Sequence, residues 1–145
     1  MSDMIASELV KLAKAVVASG EAYDVYNERE KMMWRGKWGT AHELIRDVKE
    51  ALPNGYNEFD AERLENAIRM VGGSFEFQFA REYSATVYVR RFKDVEDVKR
   101  LVLAFRAARA DELSVERGGE HIMFDDGVPA DFEVQAGDEF RAWWD

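Results

Sequence analysis

Apolar residues recur every three to four positions through the first half of the chain and every second position after Gly72-Gly73. A period near 3.6 marks an amphipathic helix and a period of two a half-buried strand. The pattern predicts an α+β fold in a single domain over 1–145: a helical half over 1–72, with three to four helices, packed with an antiparallel α+β half over 74–145. A helix over 3–18 would be capped by Ser2, bury Ile5, Leu9, Leu12, Ala13, Val16 and Val17, and end before Gly20. A second, over 21–34, presents Tyr23, Val25, Tyr26, Met32 and Met33, with Gly36 as its stop. The third opens on Thr40-Ala41-His42-Glu43. This is a capping box, in which the threonine oxygen and the glutamate carboxylate each satisfy an otherwise unbonded backbone N–H. Leu44, Ile45, Val48 and Leu52 continue its apolar stripe until Pro53-Asn54-Gly55. A fourth begins at Asp60 and buries Leu64, Ala67, Ile68 and Val71.

In the second half, Phe75, Phe77 and Phe79 alternate with Glu76 and Gln78, while Ala85, Val87 and Val89 alternate with Thr86, Tyr88 and Arg90. Two such runs joined near Arg81-Glu82 predict an antiparallel hairpin. Asp94 caps a helix over 95–109 with Val98, Leu101, Val102 and Phe105 inward. Segments 113–116 and 121–124 flank Gly118-Gly119, a hairpin turn. Segments 132–135 and 139–144 are expected to pair as the last strands, with a short terminal helix as the alternative. The β-β-α-β order within this half is compatible with half of a ferredoxin-like arrangement, a likeness that carries no function.

A chain of 145 residues, 47% hydrophobic and 34% charged, suits one globular core. With no cysteine, disulfides, thiolate metal sites and cysteine nucleophiles are excluded. Met1-Ser2-Asp3-Met4 lacks the basic start of a secretion signal, and no apolar run approaches the roughly 18 residues of a membrane span. A cytoplasmic location is therefore expected, or the host cytoplasm for a viral protein, with no membrane partner.

Charge changes the picture more than composition does. The net charge is −9, yet residues 1–109 carry 18 acids and 18 bases, so the whole excess lies in 110–145. The stretch just before it, 81–109, has eight bases against four acids. The acidic end has three readings: a solvated surface of an acid-rich protein, an internal counterpart to the basic stretch, or a partner surface. The neutral first 109 residues fit the first poorly, because adaptation to salt spreads over a whole surface. As a partner surface it would comprise Glu116, Glu120, Asp125, Asp126, Asp131, Glu133, Asp138 and Glu139, with Trp143 and Trp144 as apolar anchors.

No motif for catalysis or cofactor binding stands out, and no cofactor is expected. His42-Glu43 lacks the second histidine of a zinc-protease helix, and neither glycine pair forms a phosphate loop. His121 with Asp125, Asp126 and Asp131 has the oxygen-rich composition of a divalent-metal site, which defines a hydrolase alternative. Arg29, Lys31, Trp34, Arg35, Lys37 and Trp38 interleave bases with aromatics, the combination that stacks on single-stranded nucleic acid. With the basic helix 95–109 they define a nucleic-acid-binding alternative. The first expectation is a non-enzymatic interaction protein whose acidic C-terminal face docks on a basic macromolecular surface. One form of it is a nucleic-acid mimic from a virus or mobile element that inhibits a nucleic-acid-binding protein.

Overall fold

A computed structural model describes residues 33–51, 61–71, 75–82 and 85–144. The helix expected over 3–18, most of that over 21–34, and Arg29 and Lys31 lie outside the described residues. In chain order these form β1 (Met33–Gly39), α1 (Ala41–Ala51), α2 (Ala61–Val71), β2 (Glu76–Glu82), β3 (Ala85–Arg90), α3 (Val95–Ala107), β4 (Glu112–Arg117), β5 (Glu120–Met123) and β6 (Glu139–Trp143). The strands make one antiparallel sheet in the order β1-β2-β3-β6-β4-β5.

Two expectations are corrected. Among the described residues, the first 72 positions contribute the two helices expected after Thr40 and Asp60 and, in addition, a strand. Residues 33–39, where the second helix was to run out, pair with β2 instead. Sheet hydrogen bonds from a segment about forty residues away outweigh a local helical period, and Gly36 in mid-segment already weakens a helix by about 1 kcal/mol. Segment 132–135 is not a strand. Phe132 closes a turn, its N–H bonded to the Pro129 carbonyl at 3.1 Å, and 139–143 pairs on both sides as an inner strand, with β3 and β4.

The hairpin β2–β3 aligns Phe77 with Val89 and Phe79 with Val87. Across β6 the same face continues through Phe140 and Ala142 to Val115 and Leu113. These residues form one buried cluster with Val48 of α1, Leu64 and Val71 of α2, and Leu101 and Phe105 of α3. The helices therefore cover one face of the sheet. Both β3 and β4 run antiparallel to β6, so they are parallel to each other, with α3 as the crossover and β6 filling the gap between them. The opposite face carries the alternate residues: Gln78, Thr86, Tyr88, Arg141 and Ser114.

Local chemistry sets the helix starts. The Glu43 N–H donates to Thr40 Oγ1 at 3.2 Å and the Thr40 N–H to Glu43 Oε1 at 3.0 Å, closing the predicted capping box. That Thr40 N–H holds the Glu43 pKa below its ordinary value. At α3, extended Asp94 accepts from the Asp97 N–H at 2.9 Å, and Asp97 accepts from the Lys93 N–H at 2.8 Å. Asp94→Ala is expected to cost about 1 kcal/mol in chemical denaturation, with Asp94→Ser close to wild type. A loss below a few tenths would mean that Asp97 and the sheet set this helix start alone.

Candidate interaction surface

The face of the sheet away from the helices carries a charge network that joins the two ends of the chain. Between Arg35 and Trp38, β1 advances three residues while β2 advances two, from Ala80 to Gln78. This bulge puts Arg35 and Trp38 on the same face, where regular alternation would oppose them. Arg35 donates through Nε to Gln78 Oε1 at 2.7 Å and through a terminal nitrogen to Glu139 Oε1 at 2.8 Å. Its guanidinium lies 3.9 Å from the Tyr88 ring centroid and 5.9 Å from that of Trp38. The Arg90 guanidinium lies 4.1 Å from Trp38 and bonds Glu76 at 3.0 Å. Arg91 joins it on the same carboxylate, and the Arg91 and Arg90 guanidiniums hold the Glu76 pKa below its ordinary range.

For the nucleic-acid alternative, the structure brings Arg35 and Trp38 together but engages them with each other, with Tyr88 and with Arg90. Lys37 is exposed on the same strand, and Trp34 is opposite Arg81 in the register. On α3, Lys99 pairs with Glu96 and Arg100 with Asp97, while Arg106 donates to the carbonyls of Phe124 and Asp125. Arg90, Arg91, Lys99 and Arg100 thus pair with acids that precede the acidic segment.

The acidic segment divides in two. Part of it is neutralised. Asp138, with 1% of its side chain exposed, receives two hydrogen bonds from Arg117, at 2.9 and 2.8 Å, and a third from the Gln135 N–H at 2.9 Å. Burial disfavours the charged carboxylate, but the Arg117 guanidinium and the Gln135 amide outweigh it and hold its pKa below the usual range; the same pair raises that of Arg117. Glu139 is held by Arg35 and Glu112 by Arg141 at 3.1 Å; Glu116 is engaged rather than paired with a fixed cation, in contact with His121 and accepting from the Ser114 hydroxyl at 3.0 Å. Trp144 is in the core, its indole N–H donating to the Ala108 carbonyl at 2.9 Å. Trp143 is half-buried on the face away from α1, α2 and α3.

The other part is free. Glu120, Asp125, Asp126, Asp131 and Glu133 are exposed and, among the described residues, have no ion-pair contact, although Glu120 lies opposite Arg117 across the hairpin and feels its charge. Glu120 opens β5, the edge strand of the described sheet, and the other four follow it on the connection to β6. That connection is held from beneath. Phe124 and Phe132 are buried edge-to-face at 5.4 Å, Val134 packs against the core, and Arg106 and Arg117 bind its carbonyl oxygens. The β4–β5 turn uses Gly118 and Gly119 at φ 57° and 88°, the left-handed geometry of a two-residue hairpin. In such a hairpin Arg117–Glu120, Val115–Ile122 and then Leu113–Phe124 are the hydrogen-bonded pairs. The Phe124 N–H bond to the Leu113 carbonyl, 2.9 Å, agrees. The backbone groups of His121 and Met123 therefore point outward along the free edge.

His121 lies against Glu116 on the face away from α1, α2 and α3, whereas Asp125, Asp126 and Asp131 sit on turns of the connection. The residues of the hydrolase alternative are thus not gathered, and among the described residues no group of three or more histidines and carboxylates converges as a metal site. Among the same residues, no helix is long and apolar enough to cross a membrane. Alternation along β3 already placed Tyr88 and Arg90 on the polar face, which was the one available hint of the network around Arg35. No protein-family model matches the chain, and no curated protein or solved structure matches it either.

Proposed function

We propose that the protein is a non-enzymatic interaction protein that docks its acidic C-terminal face on a basic macromolecular surface. The supporting observation is the set of five unpaired carboxylates around β5, held on a connection whose own anchors are buried. Carboxylates on a rigid support lose little entropy on binding, and like-charged competitors are excluded while a basic partner is steered in. An extended basic segment fits best. It can use the outward N–H and C=O groups of His121 and Met123 as a strand-pairing template, and its cations then meet Glu120 at one end of β5 and Asp125-Asp126 at the other. In the more specific form, these carboxylates stand where phosphates would on a nucleic acid, and the partner is a nucleic-acid-binding protein that a virus or mobile element inhibits. Glu116, Asp138 and Glu139 act within the protein in this reading, and Trp144 serves packing.

The test uses an arginine-rich peptide and a variant with Asp125→Asn, Asp126→Asn, Asp131→Asn and Glu133→Gln. Titration at low salt is expected to show binding to the wild type at least tenfold tighter than to the variant. The difference should vanish near 1 M salt, where the screening length is about 3 Å. The melting temperature should not fall, because these side chains have no partner to lose. Equal affinities at low salt would sink the reading.

A further inference from the structure

The protein carries a cleft of opposite electrostatic character. It has a volume of about 500 Å³ and lies between the β3–α3 connection, with Arg90, Arg91 and Lys93, and the turn before β6, with Val134, Ala136 and Gly137. Its lining residues and their ion-pair partners hold five cations (Arg35, Arg90, Arg91, Lys93, Arg117) against three carboxylates (Glu76, Asp138, Glu139). A local surplus of two positive charges stands in a chain of net charge −9. Its acidic wall is spent: Asp138 is bound by Arg117 and Glu139 by Arg35. On the basic wall, Arg90 and Arg91 share the single carboxylate of Glu76, and the exposed Lys93 has no ion-pair partner among the described residues.

The backbone shows how this wall is built. Arg91 has φ 73°. That left-handed conformation is unfavourable for a residue with a Cβ, by about 1 kcal/mol or more. Adjacent residues of a regular strand point to opposite faces; the left-handed turn at Arg91 breaks that rule and brings both guanidiniums to one point beside the cleft. A glycine would adopt this conformation without strain. The arginine therefore destabilises the turn, and its side chain adds a second cation to a carboxylate that Arg90 already neutralises.

We infer that this cleft binds a small organic phosphomonoester, with Arg91 and Lys93 holding the doubly charged phosphate and the Val134–Ala136 side taking the apolar body. Guanidinium and ammonium groups give a phosphate short, charge-assisted hydrogen bonds. The local surplus of two positive charges matches the two negative charges of a monoester, and a cleft of this size takes a ligand well beyond inorganic phosphate. The cleft shares the β5–β6 connection with the acidic surface but uses none of that surface's exposed carboxylates.

Phenyl phosphate serves as the probe, titrated by calorimetry and thermal melting at constant ionic strength, with inorganic phosphate for comparison. Saturable one-to-one binding is expected, tighter for phenyl phosphate than for inorganic phosphate. Lys93→Gln should weaken it at least tenfold and leave the melting temperature of the free protein unchanged. Arg91→Gly should weaken it similarly while the free protein melts no lower, and higher if the strain is relieved. Glu76→Gln, which releases both arginines from their shared carboxylate, should tighten it. Three results would overturn the assignment: no saturable binding at millimolar probe, inorganic phosphate binding as tightly as the phenyl ester, or unchanged affinity in both Lys93→Gln and Arg91→Gly. Binding of the arginine-rich peptide should be the same in Lys93→Gln as in wild type, so failure here leaves the docking surface untouched.

Discussion

Replacing Trp144 with alanine is expected to remove about 3–5 kcal/mol of folding stability, a large part of the roughly 5–15 kcal/mol that holds a domain of this kind together. Trp144 is 1% exposed, the bulkiest of the fully buried side chains among the described residues. Its ring lies edge-on to Phe105 of α3, with centroids 6.0 Å apart. Phe105 in turn lies 5.8 Å from Phe140 of β6, and Phe140 6.5 Å from Phe124 at the start of the acidic connection. The indole N–H also bonds the carbonyl of Ala108, which closes the C-terminal end of α3. Trp144→Ala thus opens a cavity where the last strand meets the crossover helix and leaves that carbonyl without its donor. Trp144→Phe separates the two effects. It keeps most of the packing and should cost about 1–3 kcal/mol, the penalty for a buried carbonyl that loses its bond. Urea unfolding of both variants measures the difference. Wild-type stability in Trp144→Ala would place this residue outside the core.

The second large effect concerns Arg117 and Asp138. Removing the arginine strands a carboxylate in a buried position, and Arg117→Ala is expected to cost about 3 kcal/mol or more at neutral pH. The pH dependence should also change sign. In the wild type the Asp138 pKa is depressed below its unfolded value of about 3.9. Its contribution is therefore complete above that value and is lost as pH falls through the folded pKa. In Arg117→Ala the guanidinium is gone, and burial, the larger effect, is opposed only by the Gln135 N–H and raises the pKa above the unfolded value. Protonation then favours the folded state, and the deficit relative to wild type should shrink as pH drops from neutral towards about 4. Asp138→Asn removes the titrating group and should flatten this part of the acid profile. Urea midpoints over this range test all three, and a deficit in Arg117→Ala that stays constant with pH would refute the pairing as the source of the shift. The same pair anchors the turn before β6, so the loss should also loosen the acidic connection that ends there.

Much of the described fold was legible from local pattern. The capping box at Thr40 and Glu43, the Asp94 cap, the β2–β3 alternation and the Gly118-Gly119 turn all depend on residues within a few positions of one another. Each appears where the spacing placed it, except that Arg81 and Glu82, expected as the β2–β3 connection, belong to β2, and the connection follows them. Segment 33–39 was not legible, because a broad apolar run with methionine and tryptophan suits a helix and an edge strand alike, and pairing with β2 decides between them. Segment 132–135 misled for a related reason. Phe132 and Val134 are apolar at strand spacing, but they anchor a connection from one side with no neighbouring strand to pair with.

The candidate surface divides along the same line. That the excess negative charge lies in the last 36 residues is a property of the chain, readable from composition alone. Which of those carboxylates are free is not, because neutralisation depends on contacts such as Arg35 with Glu139, 104 positions apart, and Arg117 with Asp138, 21 apart. Insertion of β6 between β3 and β4 creates the first by carrying the acidic end into the middle of the sheet. It also leaves β5 at the edge with unpaired acids at both ends. The acidic ending is thus written in the residues, while its division into a neutralised interior and a free rim follows from strand order, which no local periodicity encodes.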